Sequence, residues 1–359
     1  MNPILAEDLS LVHAGLATRD RLVDGVILVT GCAGFLGYLT LQYLVRYASP
    51  LKLRKVIGLD TFLLGKPLWL DELVSEYDDI LELENFDVAH DSLERVPGAA
   101  EATHVIHMAS VASPSFYRRY PLETIYANVW GLHALLKFYR EAPALRGVLF
   151  ISSSEVYGDP DAAHIPTDEQ YRGNVPCLGP RACYDEAKRF GETLSQVFAQ
   201  SYGMPVTIAR PFNNFGPGMR ITDRRLPADF ARSIMEGGDI VIHSDGTPTR
   251  TFCYVADAVT GYLLCLLHDR FGAFNIGIET PEISVREFAR IFQTAGAELV
   301  GYSGKVDFQA NADPDYLTHN PNRRCPAIGK ARTELGYSPG VRVEDGVRRW
   351  VRFLAAERG

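Results

Sequence analysis

Between Val26 and Arg210 the chain alternates short apolar runs with longer stretches in which apolar residues recur every three or four positions. The runs VILVT (26–30), KVIGLD (55–60), HVIHMA (104–109), GVLFIS (147–152) and PVTIAR (205–210) read as buried strands. LGYLTLQYLVRYA, TIYANVWGLHALLKFYREA and YDEAKRFGETLSQVFAQSYG lie between them and read as helices. Strand–helix alternation of this kind predicts an α/β fold built on a doubly wound parallel sheet. Ahead of it, Leu5, Leu9, Val12 and Leu16 fall at helical spacing. They predict a helix over 3–20 that packs on the main body or on a second subunit and carries no chemistry. After RPFNNFGP the texture turns to loops rich in glycine, proline and arginine. There FCYVADAVTGYLLCLLH reads as a strand running into a helix, FNIGIE as a strand and VEDGVRRWVRFLAAE as an amphipathic helix. No repeat and no low-complexity linker divides the two textures, so a second, smaller domain is expected to be interleaved with the first.

Composition narrows the function classes. The 359 residues, 47% of them hydrophobic, suffice for the core of two closely joined domains. A net charge of −8 argues against nucleic acid and anionic membranes as general partners, although a local group of arginines can still hold a small anion. Six scattered cysteines without a CxxC pair read as reduced thiols, with no metal site. The opening MNPILAEDLSLVHAGL has neither a basic start nor a continuous apolar stretch, so no signal peptide is expected, and no apolar run approaches the ~20 residues that span a bilayer. The expected compartment is the cytoplasm.

The chemistry begins at VILVTGCAGFLGYLTLQYL, with glycines at 31, 34 and 37 between a strand and a helix. Gly31 permits the tight turn, Gly34 lets the backbone approach a pyrophosphate, and Gly37 lets helix pack on strand, with Phe35 and Leu36 in the same turn. The helix N-terminus favours the phosphate charge. The next strand ends in Asp60, the expected distance on for an acid that binds a ribose 2′-hydroxyl and repels a 2′-phosphate, so NAD is expected rather than NADP. An aspartate there also suits the cap of a turn. Asp87 and Val88, in FDVAHD, are candidates for the adenine end.

Tyr184 and Lys188, in CYDEAKRFGE, are four residues apart on one helical face. Tyrosine is a poor base at its reference pKa of about 10, but a neighbouring ammonium stabilises the phenolate. Such a pair suits removal of an alcohol proton as hydride leaves for NAD. Tyr–Lys contacts are common in helices; the order of glycine loop, serine-bearing strand end and then YxxxK singles this one out. The serine-bearing end is SSSEVYG (152–158), where Glu155 stands at the carboxyl end of a predicted strand, the side on which such sheets bind ligands.

Over roughly residues 25–355 the chain resembles the extended short-chain dehydrogenases/reductases that act on nucleotide sugars, and among them the UDP-glucuronate decarboxylases that make UDP-xylose. The resemblance rests on HMASVASPSFYRRYPLETIYANVWG, SSSEVYGDP, GPRACYDEAKR, ARPFNNFGP, GTPTRTFCYVADAV and RRCPAIGKARTELGY. It implies an N-terminal helical extension (1–24), a Rossmann NAD-binding domain (25–210 with 251–276) and an interleaved nucleotide-sugar domain (211–250 with 277–359). It implies a hydroxyl at Ser153 for the Tyr–Lys set, a serine and glutamate at Ser154 and Glu155, and an arginine at Arg324 in preference to Arg323. Related 4,6-dehydratases carry an acid at the position of Ser154 to protonate a leaving C6 hydroxyl, and epimerases need none. A serine there, with Glu155 and Arg324, fits a sugar that carries a carboxylate at C6. Oxidation at C4 makes that sugar a β-keto acid, which loses CO₂. Asn213, Arg225 and Arg250 are expected at the nucleotide diphosphate, since the guanidinium fork is bidentate; each arginine alone also suits a solvated surface. The family pairs subunits through a four-helix bundle, matched here by 123–142 and 184–202, so a homodimer is expected. Four departures stand out: Gly218 in place of an arginine, Arg172 in place of a tryptophan, the segment TFLLGKPLWL after Asp60, and the longer loop ANADPDYLTHNPNRRCP. They leave sugar and base selectivity open and allow some 4-keto pentose and NADH to escape before reduction.

Overall fold

The structure, a computed structural model, describes residues 1–310, 318 and 321–358. Seven strands form the central sheet: β1 (Val26–Thr30), β2 (Lys55–Asp60), β3 (Leu81–Asn85), β4 (His104–His107), β5 (Gly147–Ile151), β6 (Val206–Pro211) and β7 (Gly272–Ile276). They lie in the order β3-β2-β1-β4-β5-β6-β7, and every neighbouring pair is parallel. This is the doubly wound sheet that the alternation predicts. β1 and β5 are buried along their whole length because helices cover both faces. β3 is the strand that the hydrophobic pattern did not disclose: LELEN alternates, as suits an edge strand with one wet face, and it pairs only with β2.

Strand order reverses between β1 and β4, which opens a crevice at their carboxyl ends. The helix Phe35–Arg46 starts there, directly behind the glycine turn. Beyond β4 a helical run is built of Pro121–Tyr126, a π segment Ala127–Gly131 and Leu132–Tyr139. The wider π turn coincides with a bond between His107 Nε2 and the Ala127 carbonyl (3.1 Å), while His107 Nδ1 meets Thr30 Oγ1 at 2.8 Å. Burial, with Lys188 nearby, pushes His107 down to about 3, so it is neutral and ties β1, β4 and the helix together.

The smaller region gathers the helices Leu226–Glu236, Val285–Val300 and Val343–Ala356 around Phe215, Phe230, Phe288, Phe292 and Trp350. Three two-residue strands matter to the site. Thr249–Arg250 pairs antiparallel with Ile283–Ser284 and parallel with Arg323–Arg324, which sets Arg250 opposite Arg324. Among the described residues, no helix is long and apolar enough to cross a membrane.

The N-terminal helix spans Pro3–Gly15, shorter than the predicted 3–20, and a 3-10 turn at Arg19–Leu22 follows. It packs on Phe35–Arg46, Val255–Leu266 and Val343–Ala356. The interface holds a fully buried carboxylate, Asp8. Asp8 accepts from the Tyr254 hydroxyl (2.7 Å) and from Arg349 Nε (3.0 Å) and Nη2 (2.7 Å). Burial outweighs these partners and pushes Asp8 up to about 6, so the ionised form is the costlier one in the fold. Asp8→Ala strands both donors in a closed interface and is expected to cost about 3 kcal/mol of stability. Asp8→Asn keeps an acceptor and is expected to be much milder. Chemical denaturation of both variants checks this; an Asp8→Ala midpoint equal to that of the unmodified protein refutes it.

Candidate active site

A cavity of about 870 Å³ opens at the switch point, lined from one end by the glycine turn, Asp60, Asp87 and Val88 and from the other by Arg250 and Arg324. Ser153, Ser154, Glu155, Tyr184 and Lys188 line its middle, and Phe35, Leu36, Asn213 and Arg225 its walls. The residues singled out in the sequence thus meet in one place.

At the glycine turn, Gly31 has φ +71°, and a Cβ there would lie 2.6 Å from the Ala109 backbone at the end of β4. A Cβ on Gly37 would lie 2.2 Å from the Cys32 carbonyl. Both positions therefore exclude any side chain. A Cβ on Gly34 would meet only the Gly31 carbonyl, at 3.3 Å, which leaves the face toward the cavity open for close approach to the backbone. Asp60 accepts from the Ala33 amide (2.9 Å, Oδ2) and the Phe62 amide (2.8 Å, Oδ1). It does cap the turn, and it also anchors the glycine loop; each carboxylate oxygen keeps a further lone pair for a ribose hydroxyl. Asp87 is held in its own turn by the Ala89 amide (2.9 Å), and Val88 packs against Gly131 of the π segment.

Tyr184 is 6% exposed and Lys188 2%. Ser153 stands beside the Tyr184 hydroxyl and favours its ionised form, and its Oγ accepts from the Glu155 amide at 3.2 Å and so caps the turn Ser154–Tyr157. The Tyr184 ring stacks on Tyr117, centroids 5.1 Å apart and 12° from parallel. Lys188 Nζ donates to the Ile151 carbonyl at 2.6 Å and lies 5.7 Å from the Tyr184 ring centroid. Burial dominates both groups: it pushes Tyr184 up to about 12, against the Ser153 hydrogen bond, and Lys188 down to about 7. The ammonium is pinned to a backbone carbonyl at the end of β5, so its effect on the phenolate works against a large desolvation cost.

Glu155 lies between two guanidinium groups. Arg181 Nη2 is 2.6 Å from Oε2, and Arg324 Nη2 lies 2.8 Å from each oxygen. Burial raises the glutamate, but Arg181 and Arg324 together hold it down at about 2. Asp185 Oδ2 is 3.7 Å from Arg181 Nε, and burial followed by the Glu155 charge pushes Asp185 up to about 7. The Tyr117 hydroxyl, Arg181 Nε and Asp185 Oδ1 are buried without a hydrogen-bond partner. Arg181, Asp185 and Tyr117 did not enter the sequence-based candidates. The signal was present: Arg181, Asp185 and Lys188 fall at i, i+4 and i+7 of one helical face beside Tyr184.

Arg324 and its neighbour part company in the strand Arg323–Arg324. Arg324 reaches the site and also donates to Asn213 Oδ1 at 3.4 Å, whereas Arg323 pairs on the exposed side with Glu282 at 2.7 Å. Asn213, with φ +42°, donates to the Thr251 carbonyl at 2.9 Å. Arg225 is paired with Asp223 (Nη2–Oδ2, 3.0 Å) and lies over the Phe35 ring. Arg250 spends its fork on backbone: Nη1 donates to the Thr249 (2.8 Å) and Asn322 (3.0 Å) carbonyls and Nη2 to that of Pro321. Burial and the charge of Arg324 lower Arg250 to about 9. Its geometry is that of a tie between strands that also lines the cavity.

The profile of the NAD dependent epimerase/dehydratase family matches residues 27–277. The chain belongs to that family. It is 33% identical over 332 residues to UDP-glucuronic acid decarboxylase 1 of Xenopus tropicalis, covering 92% of this chain and 72% of that one. It is 35% identical over 321 residues to UDP-glucuronic acid decarboxylase 6 of Arabidopsis thaliana, covering 89% and 86%. Among solved structures it is similar to the dTDP-glucose 4,6-dehydratase DesIV of Streptomyces venezuelae with NAD and TYD bound, at 25% identity, TM-score 0.76, and coverage of 93% and 98%. The UDP-glucuronic acid 4-epimerase of Bacillus cereus, in complex with UDP-glucuronic acid and NAD, shares the fold at 23% identity, TM-score 0.75, and coverage of 92% and 99%. The open face of Gly34, the helix that starts at Phe35 and the free lone pairs of Asp60 fit the NAD of the epimerase/dehydratase family.

Proposed function

We propose that the protein converts UDP-glucuronate to UDP-xylose and CO₂, with NAD used and regenerated in each cycle. The observation that carries this reading is Glu155, ionised between Arg181 and Arg324, one residue from a serine and beside the Ser153–Tyr184–Lys188 group, in a chain similar over about nine-tenths of its length to UDP-glucuronic acid decarboxylases. NAD held at Gly31, Gly34 and Asp60 would supply reversible hydride transfer at C4 of the sugar. Tyr184 receives the O4 proton, with Ser153 as its hydrogen-bond partner and Lys188 supporting the phenolate. With C4 a ketone, the C6 carboxylate is β to a carbonyl, and the C5–C6 bond breaks with its electron pair passing to O4. Tyr184 and Ser153 hold the enolate oxygen so formed. The unpaired atoms of Tyr117, Arg181 and Asp185 suit a polar ligand, and Glu155 keeps both guanidinium groups occupied, so the departing carboxylate is not clasped by them. Arg324 orients the ring and a water that returns a proton to C5. The C5 proton, the hydrogen restored to C4 and the proton that Tyr184 gives back to O4 then complete the pentose.

At the other end, Asn213, Arg225 and Arg250 are read as lining the diphosphate, and Asp60, Asp87 and Val88 as meeting the adenosine of the cofactor. The domains are read as the extension 1–24, an NAD domain (25–210 with 251–276) and a sugar-nucleotide domain (211–250 with 277–359). The protein is read as a homodimer through the helical run 121–139 and the helix Ala182–Tyr202. Trp130 (53% exposed), Phe190 (50%) and Val197 (49%) support this, the last two lying seven residues apart on one face. Six unpaired cysteines suit the cytoplasm.

Two incubations test the reading. UDP-glucuronate should lose CO₂ and UDP-glucose should remain intact, both followed by mass spectrometry, because Ser154 offers no acid to a C6 hydroxyl. Loss of water from UDP-glucose with UDP-glucuronate untouched replaces the reading with a 4,6-dehydratase. Conversion of UDP-glucuronate without loss of mass replaces it with a 4-epimerase.

A further inference from the structure

The segment 216–225 crosses the cleft that holds the cofactor turn and is fastened on both sides. Gly218, with φ +92°, is pressed against the first turn of the helix Phe35–Arg46: a Cβ there would lie 2.6 Å from Tyr38 Cβ and 2.8 Å from the Phe35 carbonyl. No larger side chain fits at this position. Two residues on, Arg220 reaches across to the loop that follows β2, donating from Nη1 to the Leu64 carbonyl (2.6 Å) and from Nη2 to the Gly65 carbonyl (2.9 Å). Further along, Ser113 Oγ donates to the Asp223 carbonyl at 2.7 Å, and the Arg225 guanidinium lies 5.3 Å from the Phe35 ring centroid. Phe35, Leu64, Gly65, Ser113, Gly218 and Arg220 all line the same cavity as Asp60. The charge of Arg220 also reaches Asp60, where it opposes the effect of burial. The strap and the cofactor turn thus bound the same cavity.

We propose that Arg220 is a positioning residue, the latch of a strap over the dinucleotide, and that it decides how long the cofactor stays and so whether the 4-keto pentose is reduced before release. The second half rests on the decarboxylase reading above; the first does not. Of the four fastenings, the Arg220 contact is the one built from a bidentate, charge-assisted donor, and it alone joins the strap to the loop beyond Asp60. The cycle removes a hydride from C4 and must return it to C4. A cofactor that departs after the CO₂ is lost carries those two electrons away and leaves the ketone as product. A latched strap favours the pentose, against the expectation that the departures from the family pattern let some 4-keto pentose escape before reduction.

The latch is tested by cofactor exchange, which requires no turnover. The protein is saturated with isotopically labelled NAD and chased with excess unlabelled NAD, and the bound fraction is followed by mass spectrometry. Arg220→Ala should release the label about tenfold faster than the unmodified protein, and Arg220→Lys, which reaches one carbonyl but not two, should fall between. Arg220 is exposed, so both variants should melt with the unmodified protein, and the melting curve separates a lost latch from a damaged fold. Under incubation with UDP-glucuronate, Arg220→Ala should also raise the share of UDP-4-keto pentose among the products. Unchanged exchange in a folded Arg220→Ala variant overturns the latch. Faster exchange with an unchanged product ratio overturns its link to product choice. If the unmodified protein releases no CO₂ from UDP-glucuronate, the decarboxylase reading fails while the exchange result still judges the latch.

Discussion

Tyr184→Phe should lower turnover of UDP-glucuronate by about a hundredfold or more while NAD stays bound. The substitution removes one oxygen and keeps the ring, so the stack on Tyr117 at 5.1 Å is preserved and the packing around the site has no reason to collapse. What disappears is the hydroxyl beside Ser153, which in the proposed mechanism receives the O4 proton and later holds the enolate oxygen. Because both the oxidation and the decarboxylation lean on that oxygen, loss should show in the first turnover. Rapid-mixing absorbance of the reduced cofactor should stay flat in the variant. Lys188 should not stand in for the tyrosine, because its Nζ donates to the Ile151 carbonyl and its proposed role is to support Tyr184. Near-normal turnover in Tyr184→Phe removes the tyrosine from the mechanism.

The parts of this site that were legible in the sequence are those fixed by local rules. Buried parallel strands read as apolar runs, and the glycine turn reads as a turn because Gly31 and Gly37 tolerate no side chain against Ala109 and Cys32. Tyr184 and Lys188 were legible because four residues are one helical turn. What escaped depends on tertiary partners. β3 was missed because Glu82 and Glu84 face outward on an edge, so LELEN has half the apolar signal of its neighbours. Arg181 was missed because a shared helical face does not by itself mark an arginine as buried; its place is fixed by Glu155, 26 positions upstream, and by Asp185 one turn on. Register alone favoured Arg324 over Arg323, and the two-residue strand explains why Arg324 lines the cavity while Arg323 does not: successive side chains point to opposite faces. For Arg250 the local reading stopped short, since its donors go to carbonyls that the chain brings in from residues 321 and 322. The long loop ANADPDYLTHNPNRRCP falls in large part outside the described residues.

Arg324→Ala should leave NAD bound and lower conversion of UDP-glucuronate by about two to three decades. The argument starts from Glu155. Two guanidinium groups hold this carboxylate ionised at about 2 in a buried setting, so removing Arg324 takes away one of the two charges that oppose its desolvation. Glu155 then swings toward Arg181 alone or takes up a proton, and in either case the electrostatics around C5 and C6 change. The contact with Asn213 is lost as well, and with it one wall that orients the ring. Arg324→Lys should recover little, because one ammonium on a flexible stem cannot serve Glu155 and Asn213 together. Glu155→Gln keeps the shape and removes the charge. It leaves Arg181 and Arg324 free to clasp the C6 carboxylate, which should tighten binding of UDP-glucuronate while slowing loss of CO₂. A lower KM together with a lower kcat is therefore the signature expected of Glu155→Gln, whereas Arg324→Ala should lower kcat without that gain in binding. If Arg324→Ala releases CO₂ at nearly the rate of the unmodified protein, the arginine is only a structural partner of Glu155. The charge that governs the carboxylate must then come from Arg181, the group that stays paired with Glu155 when Arg324 is gone.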